Sequence, residues 1–255
     1  MISSIMQNKT LKKVIFGVLV GAFWVGIWWI FALIVNNSYF LPSPLETLLA
    51  LLRLFSKPEF YKVASLSLLR VIFGLLLGVL TGILLAVLCH RFVLPRRIFT
   101  PIISVIKAMP VATFILILWI TLRGSALSVF VGFMMVLPII YQNLLDGYDS
   151  IDKSLIEVTE VFNFSKFKRF KLLTLPTLYS YFCPALITSI GLAFKAQIAA
   201  EIIAYTNNSI GQFISDAKYN LQTDDVFAWA TVIVSFSIIL EFVSKKLLRR
   251  LKYES

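Results

Sequence analysis

Apolar residues in this chain gather into six long runs, at 14–35, 65–89, 101–122, 126–145, 182–205 and 226–243, with short polar segments between them. Each run approaches the roughly 20 residues that a helix needs to cross a bilayer. None alternates with period two, as a strand of a membrane barrel would. The pattern predicts six transmembrane helices. Two segments outside the runs are also helical in pattern. In the first, Leu45, Leu48, Leu49, Leu52 and Phe55 recur at helical spacing. Ser43 as N-cap, Pro44 at the first helical position and Glu46 three residues after the cap make a helix start. This helix is too short and too charged to span, and is expected to lie on the extracellular surface.

The second segment, 152–176, is the longest stretch that cannot sit in lipid. It reads as two short helices and a turn. Asp152, or alternatively Ser154 with Glu157, caps the first helix. Leu155, Ile156, Thr159 and Phe162 share one face of it. Asn163 follows, a residue that accepts the left-handed conformation ending a helix. Ser165 caps a second helix in which Phe167, Phe170 and Leu173 face one way, and Lys166, Lys168, Arg169 and Lys171 cover the rest until Pro176 interrupts it. A basic helix-turn-helix suggests DNA binding. Its place between two spans argues instead for a protein docked at the membrane surface, and no nucleic-acid partner is expected.

Within the spans, Gly74, Gly78 and Gly82 form a row at four-residue spacing that allows close helix approach. Pro110 should kink the third span. Arg70 and Lys107 lie near span ends and are expected to snorkel to the interface. Lys195, Gln197 and Glu201 fall inside the fifth span, unusual company for a membrane helix.

Composition agrees with the pattern. Hydrophobic residues are 59% of 255, against about 45–50% in soluble domains. The net charge of +11 is unevenly placed. Sixteen Lys and Arg fall in the N-terminal segment, the Arg91–Arg97 loop, the 152–176 segment and the C-terminal segment, and five fall in the alternate loops. Both termini are therefore expected in the cytoplasm. The first run follows Lys9, Lys12 and Lys13 as a signal peptide would, but no small-residue cleavage site follows it, which predicts an uncleaved span. Cys89 and Cys183 are the only cysteines and His90 the only histidine, so neither a disulfide framework nor a metal site is expected. The chain has no Gly-rich phosphate loop followed by Lys-Ser/Thr and no credible catalytic cluster, so neither an enzyme nor a cofactor is expected.

The 152–176 segment resembles the EAA loop of permease subunits of ABC importers: Glu-Ala-Ala, three residues, Gly, nine residues, an aliphatic, one residue, Leu-Pro. Glu157 holds the Glu position, and Val158 and Thr159 replace Ala-Ala. Asn163 replaces Gly, Leu173 is the aliphatic, and Leu175-Pro176 closes the motif with the spacing intact. Asn for Gly is a mild change because both tolerate a positive φ. Val-Thr for Ala-Ala puts two β-branched side chains where small residues pack closely. Ala108-Met109-Pro110 resembles the A-x-P break of the same family, and Leu41-Pro42-Ser43-Pro44 the start seen in its nitrate/sulfonate/taurine branch.

The resemblance covers about residues 38–250 and implies an all-α integral membrane protein, a single permease domain over 1–255 with six spans and a cytoplasmic coupling helix-turn-helix. It implies a multi-pass protein of the cell membrane. A second permease copy, two ATP-binding subunits and an extracellular substrate-binding protein are the implied partners, with membrane lipid around them. ATP hydrolysis is implied on the separate subunit, and the ATPase contact falls on Glu157, Val158, Thr159, Asn163, Leu173, Leu175 and Pro176. The branch implies a small anion such as a sulfonate or nitrate; relatives also import thiamine-precursor-like heterocycles. An ion-driven carrier or channel using Lys195 and Glu201 is the competing class.

Lys195, Gln197 and Glu201 are the candidate pathway residues. An unpaired ammonium near the middle of a span costs about 2.5–3.5 kcal/mol on insertion scales, so Lys195 must face protein or water. It either makes a structural ion pair or carbonyl hydrogen bond, or lines the cavity and attracts an anion. Lys195 and Glu201 lie about 240° apart around the helix and are poorly placed to pair, whereas Gln197 and Glu201 share a face.

Overall fold

The computed structural model describes residues 9–253. The expected domain also takes in 1–8 and 254–255, which lie outside the described residues. The described chain is all helix: α1 (Lys9–Val35), α2 (Pro44–Phe55), α3 (Pro58–Arg91), α4 (Val93–Ala108), α5 (Val111–Trp119) and α6 (Gly124–Asp149), then α7 (Lys153–Val161), α8 (Lys166–Arg169), α9 (Leu175–Ile203), α10 (Ile210–Tyr219) and α11 (Thr223–Tyr253). Five of the described stretches are long and apolar enough to cross a membrane, and α4 with α5 make a sixth if taken as one broken span. This is an all-α integral membrane protein.

The helices fall into two compact units. The first comprises the residues up to Phe60 together with Ile214–Val232. From Ile15 to Val35, helix α1 is apolar on every side and almost entirely exposed, as a helix surrounded by lipid should be. One anchor holds its end: the Trp28 indole N–H donates to the Pro42 carbonyl at 3.1 Å and the ring stacks on Phe227. Helix α2 starts with a full capping box. The Ser43 hydroxyl accepts from the Glu46 amide while the Glu46 carboxylate accepts from the Ser43 amide, and Pro44 opens the first turn. Its buried face is Thr47, Ala50 and Leu54, while Leu45, Leu48, Leu49 and Leu52 point outward. The leucine stripe is thus the outer face, and the small residues make the inner one. Arg53 binds Asp224 at 3.2 Å, and Phe60 packs on Phe55 and Trp229.

The second unit, Tyr61–Phe213 with Ile233–Ser255, is built around α6 and α9, which pack along much of their length. Val131, Val136, Ile140 and Tyr141 of α6 are fully buried, as are Ala193, Phe194 and Ala200 of α9. Lipid tails are as apolar as leucine, so burial alone does not drive these helices together; close packing does. The glycine row of α3 is the seam with α6. A Cβ on Gly78 would lie 2.6 Å from the Val136 Cβ, and one on Gly82 2.9 Å from the Ile140 Cβ. Only hydrogen at these positions lets the two backbones meet.

Two expectations change here. The third span is not one kinked helix over 101–122. Helices α4 and α5 meet at 104° across Met109 and Pro110. Proline excludes the helical conformation at the residue before it, Met109 accordingly sits at ψ 130°, and Pro110 itself is at ψ 130°. Two extended residues in succession break the axis rather than bend it. Conversely, Pro176 interrupts nothing. Phe170–Thr174 form a π-turn, with the Leu175 amide donating to the Phe170 carbonyl five residues back. The widened turn makes room for the proline ring, and α8 runs on through it into α9.

Candidate functional site

The 152–176 segment is built by local rules. Asp152, not Ser154 with Glu157, caps α7: its carboxylate accepts from the Ser154 amide at 2.9 Å. That bond holds the exposed Asp152 carboxyl below its ordinary value. Helix α7 ends in a Schellman turn. The Phe164 amide donates to the Thr159 carbonyl at 2.9 Å, the Asn163 amide to the Glu160 carbonyl at 3.0 Å, and Asn163 stands at φ +51°. Ser165 then caps α8, accepting from the Lys168 amide. Side chains fix the angle between the two helices: Arg169 binds Glu160 at 3.2 Å, and the Lys168 ammonium lies 4.0 Å from the centre of the Phe164 ring.

Around this frame the surface is apolar. Leu155, Val158, Val161, Phe162 and Phe167 are exposed, and the Glu157 side chain lies open among them. Thr159 alone of the motif is buried, its hydroxyl returning to the Ile156 carbonyl at 2.6 Å. Leu173 is half-buried and Leu175 and Pro176 are exposed. An apolar patch with a rim of Lys166, Lys168, Arg169 and Lys171 is a surface suited to a protein partner.

The polar residues of α9 divide. Glu201 is fully buried; its Oε1 accepts from Arg70 Nη1 at 3.1 Å and its Oε2 from the Ser67 hydroxyl at 2.8 Å. The Gly211 amide also points at Oε2, and a Cβ on Gly211 would lie 2.3 Å from the Glu201 carbonyl carbon. Arg70 does not snorkel. Its other donors go to the Ser125 hydroxyl and to the carbonyls of Asn207 and Asn208, all within 3.2 Å. The Ser67 hydroxyl accepts from the Ile210 amide at 3.0 Å. One guanidinium and one carboxylate therefore bind α3, α9, the start of α6 and the 204–210 turn to one another. Gln197 joins them, donating to the Arg70 carbonyl at 2.9 Å. Gly132 leaves it room, since a Cβ there would sit 2.5 Å from the Gln197 amide carbon.

Lys195 is elsewhere. Its side chain is 62% exposed and its ammonium lies 4.0 Å from Glu241 of α11. Of the three candidate pathway residues, only Lys195 reaches an open face; Gln197 and Glu201 are committed to Arg70. Ser67, Arg70 and Glu241 were not among the predicted site residues. The signal for Arg70 was a membrane cation without an acid, and for Glu241 an acid inside the sixth span.

Residues 78–253 match the family model described as binding-protein-dependent transport system inner membrane component. The chain belongs to this family. It is a permease component of an ABC importer. A probable ABC transporter permease protein of Haemophilus influenzae is 25% identical over 215 residues, 83% of this chain and 86% of that one. A nitrate import permease protein, NrtB, of Leptolyngbya laminosa is 30% identical over 162 residues, 63% of this chain and 57% of that one. Among solved structures, an amino acid ABC transporter superposes with a TM-score of 0.63 over 78% of the permease and 94% of that chain, at 15% identity. The MetNI methionine ABC transporter, in an inward-facing conformation, superposes at 0.51 over 74% and 93%, also at 15% identity. These two likenesses speak for the fold.

Proposed function

We propose that the permease works as a pair of identical copies that form a path across the cell membrane for a small oxyanion such as nitrate or a sulfonate. In this reading two ATP-binding subunits grip the 152–176 segments, and a substrate-binding protein delivers the anion to the opposite side. Hydrolysis belongs to the ATP-binding subunits. Their closure moves the two copies as rigid bodies between inward-open and outward-open forms, driven by differential affinity for the two states. Both termini lie with the 152–176 segment in the cytoplasm, a reading supported by the sixteen-to-five distribution of Lys and Arg.

The observation that carries this proposal is the Schellman-closed helix pair with its exposed apolar patch around Glu157. Exposed phenylalanine and valine on a stiff, capped frame have no use in water unless a partner covers them. The anion is supported by the nitrate-importing relative and by the open position of Lys195. The Gln197–Glu201–Arg70 cluster acts in this scheme as a fixed tie, and Lys195 as the cation that meets the path.

The test is uptake of labelled nitrate into proteoliposomes holding the permease, the ATP-binding subunits and the binding protein. Uptake should require ATP, and Glu157→Lys should abolish both uptake and retention of the ATP-binding subunit at equal expression. Uptake without ATP, driven by an ion gradient, would instead make the chain a carrier or channel.

A further inference from the structure

Helices α9 and α11 enclose a groove of about 350 Å³ whose charged lining is Lys195, Glu241 and Lys245. The Glu241 carboxylate lies between the two cations, with Oε1 4.0 Å from the Lys195 ammonium and Oε2 3.7 Å from that of Lys245. Gly191 is what lets it in, because a Cβ at that position would come within 2.8 Å of Oε1. Ile187 and Leu192 make the walls apolar, and the Thr188 hydroxyl is turned back to the Pro184 carbonyl. All three charged side chains are between a third and two thirds exposed. Charges this open on helices this apolar do not lie against lipid tails, so the groove faces water or a polar surface.

The composition of the groove is that of an anion site holding its own anion. Two ammonium groups against one carboxylate leave a net positive charge, and both distances are longer than a tight charge-assisted hydrogen bond. A carboxylate oxygen pair and a sulfonate or nitrate oxygen pair are close in size and charge. We propose that this groove is an oxyanion-exchange site, in which Glu241 occupies Lys195 and Lys245 until a small oxyanion displaces it. The inference rests on the importer reading above for the identity of that anion, a transported sulfonate or nitrate. The phosphate of a membrane lipid offers the same chemistry.

The full chain in nanodiscs of neutral phosphatidylcholine would be titrated with methanesulfonate, with saturation transfer to its methyl protons as the readout and nitrate as competitor. Binding is expected to tighten in Glu241→Gln by roughly two- to fivefold, the scale of an exposed ion pair converted to affinity. Lys195→Met and Lys245→Met should each weaken it by at least that factor and Lys195→Arg should restore it, while a merely structural lysine would give no tightening in Glu241→Gln. Suppression of the signal by phosphatidylglycerol in the discs would assign the site to lipid phosphate, and insensitivity would assign it to the soluble anion. No methanesulfonate signal, or one unchanged in Glu241→Gln and Lys195→Met, would overturn the site. Retention of the ATP-binding subunit by the same variants is read in parallel. Its presence with no anion signal removes this inference alone, and its absence from the parent protein counts against the importer reading instead.

Discussion

Arg70→Met should be among the most damaging single substitutions in the membrane part. It leaves the Glu201 carboxylate, only 1% exposed, with the Ser67 hydroxyl and the distant Gly211 amide as partners. Removing one partner of a buried pair costs about 3–5 kcal/mol, because the charge that stays behind is uncompensated. The Arg70 side chain is itself only 11% exposed, so water offers little relief. The Asn207 and Asn208 carbonyls and the Ser125 hydroxyl lose their donors as well. Even a loss of about 3 kcal/mol corresponds to a fall in Tm of roughly 6–12 °C for a chain of this size. Detergent-solubilised protein followed by thiol-reactive fluorescence on heating would measure it. The double variant Arg70→Met with Glu201→Gln removes the stranded charge and should recover at least about 1 kcal/mol relative to the sum of the two single changes. Strictly additive losses, or an Arg70→Met protein as stable as the parent, would refute the claim that this pair ties the helices together.

Three further outcomes follow from other parts of the chain. Asn163→Gly should leave the 152–176 segment intact, whereas Asn163→Val, forced to φ +51°, should cost about 1–2 kcal/mol locally and speed tryptic cleavage after Lys166 and Lys168. Glu46 is held below its ordinary pKa by the Ser38 hydroxyl first, then by the Ser43 amide and hydroxyl. A depressed carboxylate stabilises the fold above its ordinary range and loses that effect as pH falls through the folded value. The stability lost in Glu46→Ala, about 0.5–1.5 kcal/mol near pH 7 and read as a lower Tm, should therefore shrink on acidification below the ordinary value of about 4.3, and a constant difference would refute the cap. Ser56, Asn208 and Ser165 are all exposed. Cysteines placed singly at these positions, in a background lacking Cys89 and Cys183, should label from outside intact cells at the first two and not at the third.

What could be read from sequence was what is local. The cap at Asp152, the turn at Asn163 and the cap at Ser165 each depend on residues within a few positions, and those side chains specify the geometry themselves. The glycine row of α3 was legible as a seam, though not that α6 fills it, since the partner of a small residue leaves no mark on its neighbours. Pro110 announced a break and an extended Met109 before it, but the angle also depends on Pro110 itself being extended, which its ring does not require. Lys195, Gln197 and Glu201 looked like one group because they are close in sequence. On the helix, Lys195 points away from the other two, and its acid comes from α11, while theirs is a network reaching to Arg70, 131 residues before Glu201. The outward leucines of α2 invert the usual meaning of an apolar stripe, because the small face is the one that packs.

The central claim is that the 152–176 segment holds an ATP-binding subunit. Photo-crosslinking tests it most directly, with benzoylphenylalanine replacing Val158 or Phe162, two exposed positions on α7 and its cap, and Ile239, exposed on α11, as the control. In membranes holding the whole importer, the first two should give an adduct with the mass of permease plus ATP-binding subunit, and Asn163→Val should reduce it. No such adduct from position 158 or 162, or an equal yield from position 239, would contradict the account.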